Sequence, residues 1–404
     1  MENARFLLII LAYIGVARAC LSLKADDKWR PLLFSLTNLS VIGIMLHESM
    51  GRRLAIVFLS AYLTLVGVHY LAMTLFSERE GWFPWLAFLS PIVALVLIKY
   101  LPYVWEPLLR PFDLKPDGFV GISYMSLRLS YLVLEVRNRV VEKPGFWQYV
   151  GFSFFVPTFA VGPINPYRVH ERSFRGIDRE VTPMGRSAMR IIVGVAKYQV
   201  LAPLFNQLSY SGLLLDSYPH PPSDLVVAAV SYYLFLYCNF AGFCDMAIGV
   251  AGLLGIHVRE NFQNPLAARN VRDFWNRWHI TLSDYMRDVV FTPLSKFLIG
   301  RFGIPTNHAV ALAILAVFLL VGIWHGIGWN YLAFGAMHAV GVAANHYYTL
   351  WLKKRGGKRF KAYHENPYVL VVSVVLTFSF VTASFFLFAN DFAMMQKILN
   401  VIRW

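Results

Sequence analysis

Residues 307–326 read Asn-His-Ala-Val-Ala-Leu-Ala-Ile-Leu-Ala-Val-Phe-Leu-Leu-Val-Gly-Ile-Trp-His-Gly. Between His308 and His325 no side chain of this run is ionisable. A helix needs roughly 20 apolar residues to cross the hydrocarbon core of a bilayer. The run therefore predicts a membrane span, and it ends on an imidazole. An ionisable group at such a place is expensive and points to function. A neutral imidazole can take a proton from a hydroxyl, which is general-base work. The competing reading is a polar packing group between helices. Gly322 and Gly326 flank Trp324 and His325, and would let a second chain segment or a substrate approach closely.

Working outward, similar apolar runs recur near 5–22, 31–48, 54–76, 83–104, 118–136, 146–166, 187–209, 224–256, 307–327, 329–351 and 368–390. Arg128 interrupts the fifth, and the eighth is long enough to be bent or split at Gly242. Of the 404 residues, 57% are hydrophobic and 15% charged, against about 25% charged in a soluble domain. The expected fold is an all-α polytopic membrane protein with about eleven transmembrane helices. No long linker or low-complexity stretch divides the chain, so residues 1–404 are expected to form a single membrane-embedded domain.

The formal charge of +14 sits in short loops between the apolar runs, as the positive-inside rule expects. It comes with no stacking platform or basic stripe, which excludes a nucleic-acid partner. Lys353, Lys354, Arg355, Lys358, Arg359 and Lys361 mark one cytoplasmic loop; Arg168, Arg172, Arg175, Arg179 and Arg186 mark another. His325 then falls toward the outer end of its span. Cys20, Cys238 and Cys244 have no metal-ligand spacing and read as small buried hydrophobes. The N-terminal run reads as a retained first helix, since Arg18 fits a cleavage site badly.

Segment 259–301 is too polar to span and too apolar to be a free loop. Phe274, Trp275, Trp278, Leu282, Tyr285 and Met286 recur at helical steps, with Arg272, Arg277, Arg287 and Asp288 interleaved. The pattern predicts an interfacial or re-entrant helix lining a cavity, on the cytoplasmic side by the charge count. Its centre, Asp-Phe-Trp-Asn-Arg-Trp-His (273–279), carries the second histidine of interest, His279. That ring can bind substrate, orient a partner or anchor the helix. Asp273, Asn276, Arg277 and Asp288 can instead form an ion-pair network that holds the segment. Asp245 and Asn239 are polar groups inside the eighth run, and a buried carboxylate needs an arginine or a histidine beside it. His338 and His346 lie eight residues apart, and no converging ligand set predicts a metal. A phosphate-binding Gly-rich loop ending in Lys-Ser/Thr and a Gly-x-Ser-x-Gly elbow are both absent from the sequence.

The stretch Asp273–Arg287 taken with Gly-Ile-Trp-His-Gly (322–326) resembles the membrane-bound O-acyltransferase family. Phe243–Gly249, Glu260-Asn261-Phe262, Gly162-Pro163-Ile164 and Val120-Gly121-Ile122-Ser123 add to the resemblance, which runs from about 120 to 348. It is greatest toward bacterial members that O-acetylate alginate or transfer D-alanyl groups to teichoic acid. The resemblance implies that His325 is the catalytic histidine and His279 the second signature histidine. It also implies a tunnel or funnel, with Trp275, Asn276, Arg277, Trp278, Trp324, Asp245 and Asn239 as lining candidates. Pro293-Leu294 continues as Ser295-Lys296-Phe297, a departure from the alginate branch, and the chain length is nearer the D-alanyl proteins.

The expected function is transfer of a short acyl group, acetyl first and D-alanyl as the alternative, to a hydroxyl of a cell-surface polysaccharide or its carrier. The acyl group would come from a cytoplasmic thioester, acyl-CoA or an acyl carrier protein, used as co-substrate and not as a tightly bound cofactor. Asn276 or a Trp N–H is a candidate for holding the oxyanion. Expected partners are membrane lipid and an extracytoplasmic acyltransferase- or esterase-like protein, with the chain in the cytoplasmic (inner) membrane. A transporter or flippase of an activated lipid or sugar is the alternative of another class, although no internal pseudo-symmetry is visible.

Overall fold

The computed structural model describes residues 2–24, 28–101, 119–215, 218–357 and 359–403. The last residues of the expected span 83–104, the first of 118–136 and the basic Lys358 lie outside them. The described residues are helical, with no β-strand longer than an isolated bridge. In chain order the helices are α1 (Glu2–Leu21), α2 (Trp29–Met50), α3 (Arg52–Phe76), α4 (Phe83–Tyr100), α5 (Ile122–Arg137), α6 (Phe146–Ser153), α7 (Tyr167–Phe174), α8 (Met184–Gln207) and α9 (Pro222–Leu254). There follow α10 (Val271–Trp275), α11 (Ile280–Met286), α12 (Thr292–Phe302), α13 (Thr306–His325), α14 (Trp329–Gly356), α15 (Arg359–Glu365), α16 (Pro367–Ala389) and α17 (Phe392–Val401).

Seven of the described helices are long and apolar enough to cross a membrane: α2, α3, α4, α8, α9, α13 and α16. The chain is an all-α, multi-pass membrane protein. One expected span is corrected. Residues 146–166 form the eight-residue α6 and a short 3-10 turn, Val156–Thr158. Pro157, Pro163 and Pro166 each lack the N–H that would continue a helix. The possible split at Gly242 is corrected too, because α9 runs unbroken for 33 residues. Gly242 serves packing: a Cβ there would lie 2.8 Å from the Gly194 carbonyl oxygen and 2.9 Å from the Tyr198 nitrogen of α8.

The chain divides into two compact units. The first comprises Met1–Val193 and Phe243–Arg259. Its core gathers Tyr13, Phe34, Phe155, Phe174, Ile248 and Leu254. Arg128, which interrupts the fifth apolar run, is fully buried here on α5. Its guanidinium donates to Thr158 Oγ1 (2.9 Å) and the Ser153 carbonyl (3.1 Å), so polar atoms of the broken 146–166 segment meet the charge. The second unit comprises Gly194–Gly242 and Glu260–Trp404. Its α13 and α14 pack closely through glycine. A Cβ on Gly322 would lie 2.5 Å from the Tyr331 carbonyl oxygen, and one on Gly335 would lie 2.4 Å from that of Phe318. The close neighbour expected at Gly322 is thus the next helix.

Candidate active site

The second unit builds its site from the segment 260–302. No single helix forms there: α10, α11 and α12 follow one another with a π-helical turn, Arg287–Phe291, before α12. Asn270 caps α10, its Oδ1 accepting the Asp273 N–H at 2.9 Å. The Asp273 carboxylate accepts the Arg269 N–H and, one turn on, the Arg277 Nε–H at 2.8 Å. Of the expected ion-pair network, Asp273–Arg277 forms, and Asp288 pairs instead with Arg287, which also reaches Asp284 at 2.6 Å. Asn276 is exposed beside it. These caps and pairs fix a polar face, leaving Phe274, Trp275 and Trp278 to the interior.

At His279 the helical pattern breaks. This residue is left-handed, φ 47° and ψ 50°, and it caps α11. A non-glycine residue in this region costs about 1–2 kcal/mol, so its surroundings must hold it. Asn261 does so. Its backbone C=O accepts the Ile280 N–H at 3.0 Å. Its side-chain Oδ1 accepts the Thr281 N–H (3.2 Å) and the Thr281 hydroxyl (2.9 Å), and lies 3.1 Å from His279 Nδ1. An oxygen that accepts from a backbone N–H is an acceptor toward the ring as well. Nδ1 therefore carries the hydrogen, and Nε2 is the basic nitrogen of His279. Burial, with the nearby His325 charge adding to it, lowers the His279 pKa to about 3. The ring is neutral at physiological pH.

Helix α13 brings the second motif to the same place. The His279 ring stands edge-on to Phe240 (4.8 Å between centroids) and to Trp324 (6.0 Å). The His325 ring lies 4.8 Å from the same Trp324 and 4.9 Å from Phe388. Both histidines thus contact one indole. His325 is the last residue of α13 and is half-buried, whereas His279 is buried. Trp275 is locked from behind. Its indole N–H donates to His338 Nδ1 (3.1 Å), His338 Nε2–H then donates to Ser384 Oγ (2.9 Å), and Ser384 donates to the Val381 carbonyl (2.7 Å). This chain fixes the tautomer of the fully buried His338.

Beside this chain is a cavity of about 540 Å³. Trp275, Phe318, Val317 and Val321 give it apolar walls; Arg272, Asn276 and Asp284 give it polar ones. Trp275 and Asn276 are therefore cavity-lining. Arg277 faces Asp273, and Trp278 is packing, ringed by Tyr233, Phe262, Phe274 and Phe385. Asn239 is half-buried on α9, next to the Phe240 that touches His279. Asp245 belongs to the first unit and pairs with Arg190 there at 2.9 Å. Sequence reasoning missed the roles of Asn261, Phe240 and Ser384. Asn261 alone left a signal, in the Glu260-Asn261-Phe262 motif.

The pattern of the membrane-bound O-acyltransferases matches residues 103–389. The chain belongs to the membrane-bound O-acyltransferase family. The protein is an acyltransferase, which answers the enzyme-or-transporter alternative. It is 28% identical over 312 residues to the teichoic acid D-alanyltransferase of Bacillus subtilis, covering 75% of this chain and 78% of that protein. It is 28% identical over 208 residues to the peptidoglycan O-acetyltransferase of Helicobacter pylori, covering 50% and 38%. To a probable alginate O-acetylase of Pseudomonas syringae it is 26% identical over 287 residues, covering 71% and 51%. The relatives thus include both D-alanyl and O-acetyl transfer to envelope polymers.

Proposed function

We propose that this acyltransferase moves a short acyl group from a cytoplasmic thioester, on coenzyme A or a carrier protein, to a hydroxyl of a cell-envelope polymer or its carrier. The observation that carries the reading is the meeting of His279 and His325 against one motif-borne indole, Trp324. His325 acts as general base. It takes the hydroxyl proton, the oxygen attacks the thioester carbonyl, and the proton passes to the departing thiolate. A cation forming on His325 is met by the carbonyl end of α13. His279 stays neutral and offers Nε2 as a hydrogen-bond acceptor toward donor or acceptor. Arg272, on the cavity wall, suits a phosphate-bearing donor arm.

Between the two acyl groups, the D-alanyl reading is favoured over the acetyl one expected first. The D-alanyltransferase relative matches about three quarters of both chains, whereas this chain covers 38% and 51% of the two O-acetylating ones. The departure at Ser295-Lys296-Phe297 agrees with this. The same reading puts the protein in the cytoplasmic (inner) membrane, with the basic loops inside and an extracytoplasmic acyltransferase- or esterase-like partner outside. The test is mass spectrometry of envelope polymers from cells with wild-type protein, His325→Ala or no protein. D-alanyl esters should disappear in the last two while the variant remains in the membrane. Loss of acetyl esters instead would select the acetyl reading, and unchanged acylation in His325→Ala would refute the base.

A further inference from the structure

The first unit holds a group of ligating side chains that takes no part in the site above. Asp178 and Glu180 lie in the loop after α7, and His257 follows the end of α9. His257 Nδ1 is 3.4 Å from Asp178 Oδ2 and 3.4 Å from Glu180 Oε2. The three donor atoms all lie within 4.8 Å of one another. A hydrogen bond from an imidazolium to a carboxylate closes to about 2.7–2.9 Å, and these contacts stop short of that. Ligand atoms placed about 2.0–2.1 Å from a tetrahedral zinc ion are separated by about 3.3–3.4 Å along the tetrahedron's edges. Both histidine–carboxylate separations fall on that value.

The surroundings hold two of the three ligands in place. Asp178 Oδ2 accepts the Ser173 hydroxyl at 2.9 Å, and Oδ1 accepts the Glu180 N–H at 3.0 Å. The same Ser173 Oγ accepts the His257 N–H at 3.0 Å, and the His257 carbonyl accepts from Asn165 Nδ2 at 3.1 Å. Such outer bonds orient metal ligands. The Asp178 and His257 side chains are buried to 4% and 17% exposure, while that of Glu180 is 77% exposed. Two ligands are preset, and the third closes from solvent, which supplies an entry path. Two carboxylates neutralise a divalent charge. The imidazole selects a borderline transition ion over magnesium or calcium, which prefer all-oxygen shells.

We propose that Asp178, Glu180 and His257 form a zinc-class divalent cation site, with water as the fourth ligand, that ties the 175–183 loop to the end of α9. The sequence predicts no metal because His338 and His346 stand eight residues apart with no converging ligand set; the cluster here joins His257 to two acids far along the chain. The test uses full-length protein in detergent, stripped with chelator and titrated with zinc chloride by calorimetry and thermal unfolding. Wild type should bind one equivalent and unfold at a higher temperature with the ion. Glu180→Gln, at an exposed position, should unfold like stripped wild type and bind at least tenfold more weakly, and His257→Gln should do the same. Absence of stoichiometric binding to wild type would overturn the proposal. So would equal binding to wild type and both variants, which would assign the ion to other histidines.

Discussion

Asn261→Ala is the most informative single change in the second unit. The amide oxygen it removes accepts three hydrogens, from His279 Nδ1, Thr281 N and Thr281 Oγ1. Asn261 is fully buried and His279 nearly so, so water cannot simply replace it. Each orphaned buried donor costs about 1–3 kcal/mol, giving about 3–9 kcal/mol without relaxation. Relaxation is available, since His279 regains about 1–2 kcal/mol by leaving the left-handed region. The expected loss is therefore about 3 kcal/mol, at the low end. The Ile280 N–H bond to the Asn261 backbone carbonyl survives, so the segment should stay docked while the ring turns away. A displacement of about 1 Å at a reacting group costs on the order of 100-fold in rate, and a loss of that size is expected in acyl transfer. Thr281→Val is the control. It removes one of the three donors, costs about 1 kcal/mol, and leaves the His279–Asn261 bond. The assay is thioester-dependent acylation by protein reconstituted in lipid, with unfolding followed in parallel. An Asn261→Ala protein with wild-type rate, or a Thr281→Val protein as impaired as Asn261→Ala, would refute the account of how His279 is held.

His338→Ala strands the Trp275 indole N–H and the Ser384 hydroxyl. We expect at least a tenfold activity loss, carried more by KM than by kcat because Trp275 walls the cavity; a pure kcat effect would contradict this. Gly335→Ala places a Cβ 2.4 Å from a backbone oxygen of α13 and should cost about 1–3 kcal/mol in thermal unfolding. Gly67→Ala on α3, where a Cβ meets nothing within 4 Å, should be neutral or slightly stabilising. Burial lowers the pKa of His279 and of His170 to about 3, with the repulsion of Arg128 adding at His170. The unfolded chain therefore binds more protons than the folded one between pH 3 and the ordinary value of 6.5. Stability is complete above pH 6.5 and falls below it, by about 2 kcal/mol per histidine at pH 5. An unfolding temperature that is flat from pH 7.5 to 5 would contradict this.

The membrane spans were legible because twenty apolar residues have few other uses in a chain. The run at 307–326 became α13 almost residue for residue. The run at 146–166 misled for a physical reason: apolar composition reports burial, and protein buries as well as lipid does. Phe152, Phe154 and Phe155 are buried in the first unit's own core, while three prolines break the helix that composition alone suggested. Segment 259–301 was legible as interior-facing and helical. Its break at His279 was not, because nothing in Trp-His-Ile marks a left-handed residue in the way glycine would. The bond that permits it comes from Asn261, a residue outside the periodic pattern. Asp245 was read correctly as needing a partner, but that partner, Arg190, lies on another helix and leaves no trace in local spacing.

The unequal settings of the two histidines argue for unequal work. A base must hold a proton well enough to remove it from a hydroxyl, and catalytic power falls as its conjugate acid becomes too strong. With its pKa lowered to about 3, His279 is a poor base at neutral pH and a dependable acceptor of hydrogen bonds. Its backbone geometry agrees, since a strained residue held by a buried amide is built to stay still. His325 is half-buried at a helix end, beside carbonyl groups that can meet a transient cation. Trp324 joins the two. Since its ring contacts both imidazoles, neither can shift far without moving the other. His279→Gln, which keeps an acceptor but not the ring, should therefore retain more activity than His325→Gln. Should His279→Gln be the more damaged of the two, the assignment of base and acceptor would have to be exchanged.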